Sequence, residues 1–231
     1  MSDLNQGTQK IRIWDAPVRV FHWLLVLSFV GAYITAESEV WRLVHVTLGY
    51  TLGGLVAFRI VWGLVGTRYA RFASFVRGPA AVLRYVRSLT GTQPEHHIGH
   101  NPAGAIAIVL MLASSIAMVA TGWAIYNDVG GEWLGEVHEG AANFMLFVVG
   151  VHVAGVLVAS RLHGENLVRS MVVGTKEGPP TEGLHRGWAW LAGVMLAAVL
   201  GFWYLQWQTA PMDAAALASP AKYGSSERDD D

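Results

Sequence analysis

EVHEGAANFMLFVVGVHVAGVLVASR, residues 136–161, decides the fold. Residues 141–160 hold no Asp, Glu, Lys or Arg. An uncharged run of that length reads as a helix that crosses a bilayer. Two histidines lie on this stretch, His138 near its start and His152 inside it. Their spacing of fourteen residues, at about 1.5 Å per residue, sets them about 21 Å apart along the axis. At about 100° per residue the second returns to within roughly 40° of the first. One face of one helix therefore presents an imidazole near each side of the hydrocarbon. A buried imidazole in lipid needs a partner, so both are candidate functional residues. Two of them stacked across a membrane point to two haem irons, one above the other.

Composition agrees with a membrane setting. The chain has 231 residues, 53% hydrophobic and 14% charged. Soluble domains run at about 25% charged, so the bilayer is the solvent this composition implies. The formal net charge of -1 selects no partner class. There is no cysteine. That excludes disulfides, thiolate-held iron–sulfur clusters, thiolate axial ligands and covalent c-type haem attachment. Any haem is then held by histidine or methionine and by packing, a b-type arrangement. The apolar run after Val20 resembles a signal peptide, but Ile34-Thr35-Ala36 is a poor cleavage site and cleavage would discard His22. The run is expected to be a retained helix.

Outward from the central stretch, hydropathy predicts an all-α integral membrane protein with spans at about 18–35, 41–66, 102–126, 137–161 and 187–209. Pro17 suits a first helical turn, and Asn101 followed by Pro102 is a strong helix start. His22 lies just inside span one, with Trp23 at interface depth. His45 opens span two, and Gly49 and Gly53 follow it on one face. Small residues there either make room for a flat macrocycle or form a close helix contact. Arg59 can snorkel to headgroups or meet a haem propionate. Span three carries neither charge nor histidine. The loop 67–101 is rich in arginine, and residues 79–89 within it have the spacing of a short interfacial helix. Tryptophans flank the fifth span as belt anchors: Trp188 and Trp190 at one end, Trp203 and Trp207 at the other. Residues 1–210 are expected to form a single transmembrane domain. The acidic tail, 211–231, is expected to be disordered.

Charge sets the expected orientation. Segments 1–17, 67–101 and 161–186 share one side and hold most of the Lys and Arg. The other side holds Arg42, Lys222 and Arg228. The N-terminus is then cytoplasmic and the C-terminus periplasmic, in a bacterial inner membrane. This topology puts His22 and His152 at one depth, and His45 and His138 at the other. The expected axial pairs are His22 with His152 and His45 with His138. Bis-histidine ligation suits electron transfer because it leaves no open position for a substrate. A proton relay would call for intramembrane carboxylates, and the spans carry none. Considered singly, each histidine has a plainer reading as a solvated or carbonyl-bonded side chain. His96, His97 and His100 could hold a metal, but a loop facing headgroups or a haem propionate fits them better.

These residues resemble the bacterial dihaem cytochrome b-561 family, which includes the b-type cytochrome subunit of nickel–iron hydrogenases. The resemblance is carried by Pro17, Arg19, His22 and Trp23; by His45 and Gly49; and by the segment RIVWGLVGTR at 59–68. It continues in Gly99-His100-Asn101-Pro102 and in His138 with His152. It covers roughly residues 10–175. It implies a four-helix transmembrane bundle holding two b haems by the four histidines, with electrons exchanged between quinone and a partner redox protein. The fifth helix and the tail are less characteristic.

The function expected is therefore electron transport in a respiratory chain, between the quinone pool and a c-type cytochrome or hydrogenase-like partner at the outer face. An electron-transfer subunit fits better than a stand-alone enzyme. A superoxide:quinone oxidoreductase would need a cationic outer entrance, and the outer loops are acidic apart from Arg42. A haem-free transporter or anchor would show no Soret absorbance. Arg19, Arg59, His100 and Asn101 gather at cytoplasmic depth, where they could hold a quinone carbonyl or only haem propionates. Membrane lipid is an expected partner and nucleic acid is not.

Overall fold

The computed structural model describes residues 9–89, 91 and 95–209. Strand β1 (Gln9–Arg12) leads into α1 (Ala16–Ile34) and α2 (Arg42–Val65). Two short helices follow, α3 (Phe72–Phe75) and α4 (Pro79–Ser88). Then come α5 (Pro102–Tyr126), α6 (Trp133–His163), α7 (Leu167–Val173) and β2 (Thr175–Gly178). A single 3-10 turn precedes α8 (Ala189–Gln208). Five helices, α1, α2, α5, α6 and α8, are long and apolar enough to cross a membrane. The expected tail lies outside the described residues.

The helix starts follow from their capping residues. Asp15 accepts from the Val18 amide at 2.8 Å, with Pro17 in the first turn of α1. Asn101 accepts from the Gly104 amide at 2.7 Å and opens α5, again with proline in the first turn. Each cap satisfies an amide that the helix cannot pair internally. The spans fall within a few residues of the hydropathy reading. The largest shift is in α6, which begins at Trp133 rather than near 137. Glu132 and Glu136 lie on or beside that added turn, outside the apolar run, where a charge-free window does not register it. A short helix does form where 79–89 predicted one, as α4, with Tyr85 buried and Leu83 and Val86 exposed.

Packing runs α8–α1–α2–α5–α6, each helix against the next. Side chains of α1, α2, α5 and α6 meet in one buried cluster of Phe29, Leu52, Val56, Met118 and Met145. The fifth span docks on α1 and α2, where Trp203 Nε1 donates to Thr51 Oγ1 at 2.8 Å. Trp203 is therefore a helix-packing residue and not only a belt anchor.

One end of the helices carries a cap absent from the sequence reading, which gave 1–17 and 161–186 only as polar segments on one side. There β1 pairs antiparallel with β2, Gln9 opposite Gly178 and Arg12 opposite Thr175. The Ile13 and Trp14 amides both donate to Gly174 O, at 2.9 and 3.1 Å. Gly174 has φ 85, and a Cβ there would meet Trp14 O at 2.9 Å, so both conformation and space require glycine. Ile11, Ile13, Trp14, Val18, Trp62, Tyr69 and Ala70 form a core beneath the strands. Trp14 and Trp62 are thus buried tryptophans, not belt anchors. We call this the capped end and the opposite one the open end.

Candidate functional site

The open-end pair is the more fully built. His45 begins α2 and His138 lies one turn into α6; their ring centres are 6.2 Å apart, with planes at 63°. His45 Nδ1 lies 2.8 Å from Ala32 O. A carbonyl can only accept, so Nδ1 carries the proton and Nε2 keeps its lone pair. His138 Nδ1 lies 3.0 Å from Thr121 Oγ1, whose own proton goes to Ala117 O at 2.7 Å. His138 Nδ1 therefore donates to the hydroxyl, and its Nε2 is free as well. Gly122 makes room for this ring, since a Cβ there would stand 3.0 Å from His138 Cε1. Ala32, Thr121 and Gly122 were not singled out in the sequence. None of the three had a local signal, since α5 carries many small residues besides Thr121 and Gly122.

At the capped end His22 of α1 and His152 of α6 come near each other. His22 Nδ1 is buried and makes no hydrogen bond. Arg59 and His100 stand in the same neighbourhood. Arg59 is 3% exposed, so it does not snorkel; its guanidinium lies 4.7 Å from the Phe72 ring centre and 5.9 Å from that of Phe75. His100 packs between Trp14 and Phe75, with ring centres 4.6 and 4.5 Å away. Burial, then the Arg59 charge, pushes His100 down to about 3, so the ring is neutral. Asp15 is 1% exposed and accepts from Trp62 Nε1 at 3.0 Å and Thr67 Oγ1 at 2.6 Å, which ties the α1 start to the α2 end.

The other candidates disperse. Arg19 Nη1 donates to Val172 O at 2.6 Å, tying α1 to α7. Asn101 Oδ1 is engaged in capping α5. Gly49 faces open space, whereas a Cβ on Gly53 would press on Val119 at 3.0 Å, so Gly53 serves a helix contact. His96 Nε2 is 2.9 Å from Glu165 Oε1, and Lys176 Nζ is 2.7 Å from Glu165 Oε2. His97 lies 3.6 Å from Glu95. Among the described residues no group of three His, Cys, Asp or Glu side chains is placed to hold a metal ion.

This arrangement fits haem b. Two imidazoles on opposite sides of one iron, at roughly 2 Å per bond, leave their ring centres about 6 Å apart. The open-end rings meet that separation with both Nε2 lone pairs free. Their held Nδ1 protons are the outer contacts that orient metal-binding histidines. At the capped end a buried, unbonded His22 nitrogen and, near His100, a buried arginine suit a macrocycle with anionic substituents.

Comparison with known proteins agrees. No solved structure matches the chain. "Probable Ni/Fe-hydrogenase 1 B-type cytochrome subunit" of Escherichia coli (strain K12) is 29% identical over 142 residues, covering 50% of this chain and 60% of that protein. "Probable Ni/Fe-hydrogenase B-type cytochrome subunit" of Azotobacter vinelandii is 27% identical over 159 residues, 54% of this chain and 66% of the relative. The Cupriavidus necator protein of the same name is 24% identical over 209 residues, 70% of this chain and 85% of the relative. The match thus spans about three fifths of the Escherichia coli protein. The family model for prokaryotic cytochrome b561 matches residues 13–174, a stretch that holds all four intramembrane histidines, and the chain belongs to that family of multi-pass membrane b-type cytochromes.

Proposed function

We propose that this protein is a dihaem electron conduit in a bacterial inner membrane. In this reading α1, α2, α5 and α6 form the haem-holding bundle within a single domain, residues 1–210. His45 and His138 would hold the iron of one b haem, and His22 and His152 that of the other. The observation that carries it is the pair of imidazole faces on α6, fourteen residues apart, each met by a histidine from a different helix. When bound, the haems supply one-electron redox chemistry at iron. The chain supplies neutral nitrogen donors, holds the open-end rings by Ala32 and Thr121, and keeps water out with apolar packing. Arg59 places a fixed positive charge near His100 at the capped end. The arginines of the capped end set the N-terminus in the cytoplasm.

The names of the relatives favour a hydrogenase-type redox enzyme as the partner at the open end over a c-type cytochrome. Quinone exchange belongs at the capped end. A cavity of about 260 Å³ opens there, with Phe75, Gly99 and His100 in its wall. Neutral His100 can donate to, or accept from, a quinone carbonyl while Arg59 balances developing negative charge. The test is His100→Ala in the purified full chain. Quinone-linked turnover should fall severalfold with both haems still bound; unchanged turnover places the quinone elsewhere. A haem-to-protein ratio of one in the wild type would overturn the dihaem reading itself.

A further inference from the structure

The two histidine pairs are separated by a layer with its own pattern. Phe29 follows His22 by seven residues on α1, Leu52 follows His45 by seven on α2, and Met145 lies seven from both His138 and His152 on α6. Seven residues rise about 10.5 Å and return to within about 20° of the same face. Each helix therefore places one large apolar side chain in line with its histidine, at mid-depth. These three side chains meet in the structure. With Val56 and Met118 they form a single buried cluster, in which Met145 is 2% exposed. Met145 is among the most deeply buried large side chains of the molecule.

We propose that Phe29, Leu52 and Met145 form a dry partition between the two haem positions, and that Met145 within it sets the polarity felt at both. This rests on the dihaem reading. With both haems bound, one electron would cross the layer in each transfer, one iron being oxidised and the other reduced, with no proton required to accompany it. The physical role of the layer is dielectric. A ferric bis-imidazole haem core carries one net positive charge and its ferrous form carries none. An apolar surrounding therefore favours the reduced form and holds the potential up. A group at mid-depth acts on both irons alike, whereas a group in one pocket acts on one.

The test is potentiometric titration of the full chain in detergent, with the haem-to-protein ratio measured first. Met145→Asn puts an amide dipole into the layer and should lower both midpoint potentials by comparable amounts. Met145→Leu keeps the layer apolar and should restore them. Arg59→Gln should lower only the capped-end component, the one that His22→Ala removes. If Met145→Asn does not retain haem, Leu52→Asn carries the same expectation from α2. A shift confined to one component, or no shift in either polar variant, would overturn the partition. A wild-type ratio of one haem per chain would instead overturn the dihaem reading beneath it.

Discussion

The two histidine pairs are built in opposite ways. At the open end both Nδ1 atoms are held, one by a carbonyl of α1 and one by a hydroxyl of α5. Both rings are thus fixed in tautomer and orientation by groups on other helices. At the capped end His22 Nδ1 has no bond; nearby stands His100, itself packed against Trp14 and Phe75, with Arg59 over the Phe75 ring. The difference teaches where each site gets its order. The open end is ordered by hydrogen bonds made within the spans. The capped end is ordered from outside them, by Asp15, the strand pair and the Glu165–Lys176 ion pair.

Loss of a ligand is the largest break of this comparison. His138→Ala and His45→Ala should remove or turn high-spin the same haem component, and His22→Ala and His152→Ala the other. Haem content and visible and paramagnetic-resonance spectra of the four purified variants would show this. Damage to one shared component by His45→Ala and His152→Ala would dissolve the two-site description.

A smaller effect separates the two kinds of order. Thr121→Val keeps the shape but removes the acceptor of His138 Nδ1–H. Loss of such an outer contact weakens binding at a metal site by about 10–100-fold. Haem titration into the apoprotein should show the open-end component weakened and the other unchanged. Equal weakening of both would mean that Thr121 supports the helices rather than the ring.

The smallest effect lies in the cap. Burial pushes the Glu165 carboxyl up, but the hydrogen bonds and charges of Lys176 and His96 more than offset that, so the net shift is down. A depressed carboxyl stabilises the fold above its unfolded value, and that contribution is lost as pH falls through the folded value. Glu165→Gln should therefore lower stability at neutral pH, by about 1–2 kcal/mol, with the gap to wild type closing under acid. Thermal unfolding at several pH values measures it. A gap that widens on acidification would refute the sign.

The sequence alone determined the helices and the depth of each histidine, because both are local. A charge-free run has a length, and a helix has a fixed rise and rotation per residue. His138 and His152 thus fall on one face of α6 whatever surrounds it. The cap at Asn101 was legible for the same reason, since it acts on an amide three residues on. The sequence offered Arg19, Arg59, His100 and Asn101 as one group; tertiary structure alone decided that Arg19 ties to α7 while Arg59 and His100 stay together. It also decided that Ala32 and Thr121 orient the open-end rings, and that residues 9–12 pair with 175–178. These contacts join positions up to 169 apart. Each strand is four residues long, too short for a reliable alternation. A backbone carbonyl such as that of Ala32 has no side-chain signature at all. Which distant donor meets which acceptor is fixed only when the helices pack.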